Sequence, residues 1–197
     1  MADLDILLRE YAQFEDRLRK VMSGICAPHC RACSRVCCRE ELCRETIESP
    51  FLSLLRQKFP PPSAYCSQNG WLTRSGCALS IGRAPVCYHF LCTDILDARR
   101  TPIDCYMLEV LADLVNHLGK NALAGRHLVA IMNPDDLYRL KFKRFKKRLT
   151  LVRNVYHIIV DYFDHAQLDA GHIFTLSQIR PLPSDINASN MMAPVST

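Results

Sequence analysis

The chain has 197 residues, 49% hydrophobic and 23% charged, with a formal net charge of +5. That is the size of one domain, long enough to bury roughly 70% of its unfolded surface without disulfide staples. With only 7 Gly and 11 Pro, wholly disordered, collagen-like and low-complexity classes are excluded. No apolar run approaches the roughly 20 residues of a membrane-spanning helix.

The outlier is cysteine. All 11 fall between Cys26 and Cys105. The N-terminus carries Asp3 and Asp5 early and has no long apolar core, so the sequence predicts no secretory signal and a cytoplasmic chain whose thiols stay reduced. An odd number of thiols cannot pair off completely within one chain. Clustered cysteines in a reducing compartment point to metal ligands or redox groups rather than a disulfide framework.

Taken in chain order, residues 3–24 predict an amphipathic helix with Leu4, Leu7, Tyr11, Phe14, Leu18 and Val21 on one face, Arg, Lys, Asp and Glu between them, and Gly24 as its stop. Residues 26–43 are cysteine-rich. Glu40 to Glu48 has helical character, and Pro50 breaks or restarts the pattern before Phe51 to Phe59. Pro60-Pro61-Pro62-Ser63 is a rigid connector, and Tyr65 to Ala84 is turn-rich with room for a short hairpin. Pro102 to Leu118 predicts a helix with Met107, Leu111, Leu114 and Leu118 on its apolar face, ended by Gly119. Asn133-Pro134-Asp135-Asp136 is a helix start: a capping Asn, Pro at the first position, acids at the positive dipole end. Behind it runs a stripe of Tyr138, Phe142, Phe145, Leu149, Val152, Tyr156, Ile159 and Phe163, with Thr150 a candidate kink. The first and last long helices are expected to pack side by side.

Glycines closest to one another are six apart, which excludes a dinucleotide fingerprint and a phosphate loop. There is no nucleophile elbow and no H-E-x-x-H pair, and His157, His165 and His172 do not sit on adjacent helical turns. The acids show no pair that stands out from surface carboxylates.

Cysteine therefore carries the functional signal. The first block holds Cys26, Cys30, Cys33, Cys37 and Cys38, and the second Cys66, Cys77, Cys87 and Cys92. Cys30 and Cys33 are spaced so that a tight turn presents two sulfurs to one ion or cluster, whereas adjacent Cys37 and Cys38 diverge and suit a polynuclear site. Thiolates alone favour zinc or iron–sulfur over magnesium and calcium. Arg31, Arg35, Arg39 and Arg83 nearby would favour the deprotonated sulfurs. The candidate ligands are Cys26, Cys30, Cys33, Cys37, Cys38, Cys66, Cys77 and Cys87.

Cys30-x2-Cys33-x3-Cys37-Cys38, then Cys66, Gly76-Cys77 and Arg83-Ala84-Pro85-Val86-Cys87, resembles the YkgJ-like cysteine-cluster family of zinc- or iron-chelating domains over roughly residues 26–92. The chain has one residue more before the double cysteine, Ala84 between Arg83 and Pro85, and Tyr88 where that family usually has Arg. The resemblance implies metal binding. Related clusters in flagellin lysine methylases keep a cluster-dependent protein lysine N-methylase as the second expectation. A helical partner-binding protein with a purely structural metal is the third. Cys26-x3-Cys30-x2-Cys33 also has the spacing of radical S-adenosylmethionine enzymes, but no strand–helix repeat follows it.

Arg139, Lys141, Lys143, Arg144, Lys146, Lys147, Arg148 and Arg153 form an acid-free basic stretch. A solvated helix face is the simplest account. The partner it would suit is an acidic protein or a phosphate-bearing surface at 139–153, with nucleic acid disfavoured. The expected architecture is mainly α: one helical domain over 1–183, with an irregular cysteine-rich metal-binding segment at 26–92, a helical part at 102–165, and a flexible tail at 184–197.

Overall fold

The computed structural model describes residues 2–32, 40–73, 76–184 and 186, and it is mainly helical. Cys33, Cys37 and Cys38, and nearly all of the expected tail, lie outside the described residues.

Helix α1 (Ala2–Ala32) buries Leu7, Tyr11, Phe14 and Leu18, each at most 2% exposed. Burying side chains of this size contributes roughly 1.5–3 kcal/mol each, well above the roughly 1 kcal/mol that a helical glycine costs. Met22 is buried and Ile25 and Cys26 pack against the core, and the helix runs through Gly24, where the sequence predicted its end, and through Pro28. Pro28 has no N–H to give the Gly24 carbonyl. Both residues are exposed, so water can take that carbonyl. Cys26 and Cys30 are thus helical, and the irregular segment expected at 26 begins later.

Helices α2 (Glu40–Glu48) and α3 (Pro50–Lys58) follow the predicted boundaries. The Leu52 amide donates to Ser49 Oγ at 3.4 Å, and Pro50 occupies the first turn, where its missing N–H is harmless. Phe51 meets Tyr11 edge-on, with centroids 5.0 Å apart. The turn-rich region contains one antiparallel hairpin of β1 (Leu72–Thr73) and β2 (Gly76–Cys77), with Leu72 opposite Cys77. Two short helices follow, α4 (Val86–His89) and α5 (Thr93–Asp97).

Helix α6 (Pro102–Gly119) starts at a reciprocal cap: Asp104 N donates to Thr101 Oγ1 at 3.2 Å, and Thr101 N donates to Asp104 Oδ2 at 2.9 Å. Its predicted face is fully buried, and so are Leu108, Val110 and Val115 on its other sides. A helix apolar nearly all round belongs in the centre of a bundle, and α6 packs against α1, α4 and α7 (Phe142–His165).

The helix start at Asn133 departs from expectation. Asn133 does cap, accepting from Asp135 N at 3.1 Å, but it opens a 3-10 turn over Pro134–Arg139. Asp136 is clamped by Arg126 at 2.8 Å and Arg139 at 2.9 Å. Leu140 is non-helical, and α7 begins only at Phe142. Tyr138 is therefore 59% exposed instead of belonging to the core stripe. Helix α7 continues through Thr150, whose hydroxyl donates to the Lys146 carbonyl. It lies against α1 as expected: Phe14 and Tyr156 meet edge-on at 6.2 Å, and Arg153 pairs with Glu10 at 2.5 Å.

After α8 (Ala170–Ser177), Arg180 ties the chain back to α6, pairing with Glu109 at 3.1 Å and Asp113 at 3.0 Å. One hydrophobic cluster joins Leu4 on α1 to Leu176 on α8, with Ile186 packed against it.

Two glycines give opposite predictions. Gly70 has φ +59°, and an added Cβ would stand 2.6 Å from Cys43 Sγ. Gly24 is helical with nothing within 4 Å of an added Cβ. Chemical denaturation should show Gly70→Ala less stable by about 1–3 kcal/mol and Gly24→Ala more stable by about 0.5–1 kcal/mol.

Candidate metal centre

The last turns of α1 present Cys26 and Cys30 four residues apart, on one helical face. Cys87 lies in the first turn of α4, and Cys92 is the N-cap of α5. These four cysteines line a single cavity of about 180 Å³, walled also by Arg19, Arg83, Met22, Tyr88 and Ile95. Cys30 and Cys87 are exposed, Cys26 and Cys92 half-buried.

What brings the second pair to the first is a buried acid. Glu15 on α1 is 0% exposed. It accepts from Gly82 N at 2.8 Å, Arg83 N at 2.9 Å and the Tyr88 hydroxyl at 2.9 Å. Gly82 adopts φ +80°, a conformation glycine takes without strain, and two successive amides thereby reach one carboxylate. The Arg83 side chain turns away, donating through Nε to the Leu79 carbonyl at 2.6 Å and through Nη2 to the Cys77 carbonyl at 3.4 Å. It therefore links the hairpin to the cavity.

Burial makes the cavity unfavourable to a bare thiolate. Burial pushes the Cys26 thiol up to about 11; Cys30 and Cys92 add to this, and Arg99 opposes it. Thiolates so close repel one another unless a cation lies between them, and a coordinated metal deprotonates its thiols outright. Arg19, at the cavity wall, has a buried Nε with no hydrogen-bond partner. A buried guanidinium N–H left unpaired costs about 1–3 kcal/mol or more, and a negatively charged sulfur site beside it would relieve that cost. Among the described residues, no three Cys, His, Asp or Glu side chains stand close enough to hold one ion as placed.

Of the predicted ligands, Cys26, Cys30 and Cys87 come together here. Cys66 and Cys77 do not line the cavity. Cys66 is exposed and bridges to Gly70, close to Cys43, while Cys77 sits on β2 and reaches the site only through its carbonyl and Arg83. Cys33, Cys37 and Cys38 lie outside the described residues. Sequence reasoning placed Cys92 in the second block but not among the ligands. It missed Glu15, which sits among surface acids in the helical pattern, and Arg19. Cys105 is elsewhere, its thiol donating to the Leu96 carbonyl at 3.5 Å. A second hollow, near His89 and Glu45, includes His127, whose two ring nitrogens are already engaged by the Asn116 carbonyl and the Val129 amide.

Comparison with protein-family models, with curated proteins and with solved structures finds no match for this chain.

Burial raises the Glu15 carboxyl from 4.5 to about 7, against the lowering effect of its three hydrogen bonds and of Arg83. The folded protein then binds this proton more tightly than the unfolded chain. Stability from the proton-bound form is complete below about pH 4.5 and lost as pH rises through about 7. Burial lowers His117 and His127, and they act in the opposite direction in the same window. Comparing wild type with Glu15→Gln cancels their effect. Urea unfolding should show the stability of wild type relative to Glu15→Gln falling by about 3 kcal/mol from pH 4.5 to about 8. A constant difference would refute the buried, proton-binding carboxyl.

Proposed function

We propose that this chain is a metal-binding cysteine-cluster protein holding zinc or an iron–sulfur cluster, in a structural or electron-transfer role. The observation that carries the reading is the shared cavity of Cys26, Cys30, Cys87 and Cys92. Cys30 and Cys87 are 57 residues apart, so their meeting needs an organising cause beyond local sequence. The Arg19 guanidinium pairs with Asp16 at 3.1 Å but leaves its buried Nε without a partner, which a thiolate-bound metal centre would supply. Thiolate donors suit zinc or iron–sulfur and disfavour oxygen-seeking ions. When bound, the group would knit α1 to the α4–α5 segment, and an iron–sulfur cluster would add one-electron chemistry.

Anaerobic purification followed by metal analysis and a visible spectrum tests this. Brown protein with iron and sulfide selects the cluster; colourless protein with stoichiometric zinc selects the structural site. If each of four ligands supplies a quarter of roughly 10–16 kcal/mol, Cys26→Ser, Cys87→Ser and Cys92→Ser should each weaken metal retention on the order of 100-fold or more. Cys105→Ser should retain the metal. Anaerobically prepared protein that is fully folded, metal-free and titrates with every thiol reactive would overturn the proposal.

A further inference from the structure

The basic stretch has a structural property that stability alone does not account for. Arg139 is paired with Asp136, Arg153 with Glu10, and Arg148 donates to the Leu118 carbonyl at 3.0 Å. The other five, Lys141, Lys143, Arg144, Lys146 and Lys147, are exposed, and among the described residues none has a carboxylate partner. They occupy the start of α7, whose first turn contains no acid, so the positive end of the helix dipole faces its own cations. Crowding extends to the end of α6. Burial and then Arg144 hold Arg148 below its usual range, and burial and then Lys120 and Arg148 do the same to His117.

An anion from outside relieves this repulsion, and the neighbouring residues indicate its kind. Tyr138 is 59% exposed and Met132 58% exposed, both in the segment leading into α7. Tyr138 precedes Lys141 by three residues, so the two backbones are at most about 11 Å apart. Tyr138 and Met132 lie ahead of the cations in the chain rather than interleaved with them, as a strip of base-stacking platforms would be. Stable attachment to a lipid surface takes two signals, cationic and apolar, and tyrosine favours the headgroup level.

We propose that residues 132–147 form a docking surface for anionic phospholipid, with the five cations on headgroup phosphates and Tyr138 and Met132 at the acyl boundary. This surface is separate from the cysteine cavity, so it stands or falls independently of metal. Each cation near such a surface adds about 1 kcal/mol of attraction.

Vesicle flotation of the full chain tests it. Binding to vesicles of phosphatidylcholine with about 30% phosphatidylserine should exceed binding to phosphatidylcholine alone, and should collapse between roughly 0.05 and 0.5 M salt. Combined Lys143→Gln, Arg144→Gln and Lys147→Gln should weaken partitioning about 100-fold. Tyr138→Ala should weaken binding while leaving its salt dependence unchanged. Combined Arg9→Gln, Lys20→Gln and Arg44→Gln removes the same charge elsewhere and should change partitioning less than about threefold. Circular dichroism confirms that each variant is folded. Equal loss in both triple variants, indifference to phosphatidylserine, or tighter binding to a labelled oligonucleotide or to polyglutamate than to vesicles would overturn the proposal.

Discussion

Glu15 lies fully buried on α1, and its carboxylate accepts from the Gly82 and Arg83 amides and the Tyr88 hydroxyl. A buried carboxylate without these donors would cost several kcal/mol. The loop at 82–88 is therefore held against α1 at one register. Because α1 is a single helix, that register extends along its axis. Cys26 stands eleven residues beyond Glu15, about 16 Å along the same rod, and Cys87 follows Tyr88's neighbourhood into the cavity. The acid is not among the residues that line the cavity, yet through Tyr88 it fixes the segment that carries Cys87.

The bundle supplies the rigidity this arrangement needs. α6 is buried on nearly every side, with α1 and α7 against it. Polar ties are placed at the periphery: Glu10 with Arg153, Arg180 with Asp113, Asp136 between Arg126 and Arg139. Half-exposed surface pairs of this kind contribute little individually. They set register while the apolar interior sets stability. The sulfur cavity opens at one end of α1, and the unneutralised cations of α7 cluster near the end of α6.

Local signals were legible where local chemistry decides. Pro50 and Pro102 each open a helix as the chain order suggested, and the 72–77 hairpin falls in the turn-rich region. The stripes of α1 and α6 are buried largely as their periods implied. Three features were not legible. The Gly24 stop failed because Met22, Ile25 and Cys26 on either side of it pack against the core, which outweighs a glycine's intrinsic cost. The 133–139 start became a 3-10 turn in which Asp136 is clamped by Arg139 and by Arg126, ten residues upstream and outside the helical pattern. Glu15 looked like any solvent-facing acid, because its partners lie 67 to 73 residues away. For the site, the cysteine types and blocks were readable, but which sulfurs share a cavity depends on that long-range tether. Cys92 joins Cys26 and Cys30 there, while Cys66 and Cys77 stay outside.

The Glu10–Arg153 pair spans 143 residues, and this has a bearing on biosynthesis. At roughly 5–20 residues per second, the ribosome needs about 7 to 30 s between making Glu10 and making Arg153. Phe51 of α3 can cover Tyr11 early in that interval, but the α7 face that meets Phe14 through Tyr156 arrives only at its end. A nascent chain of this design gives chaperones a partly covered apolar target until α7 emerges.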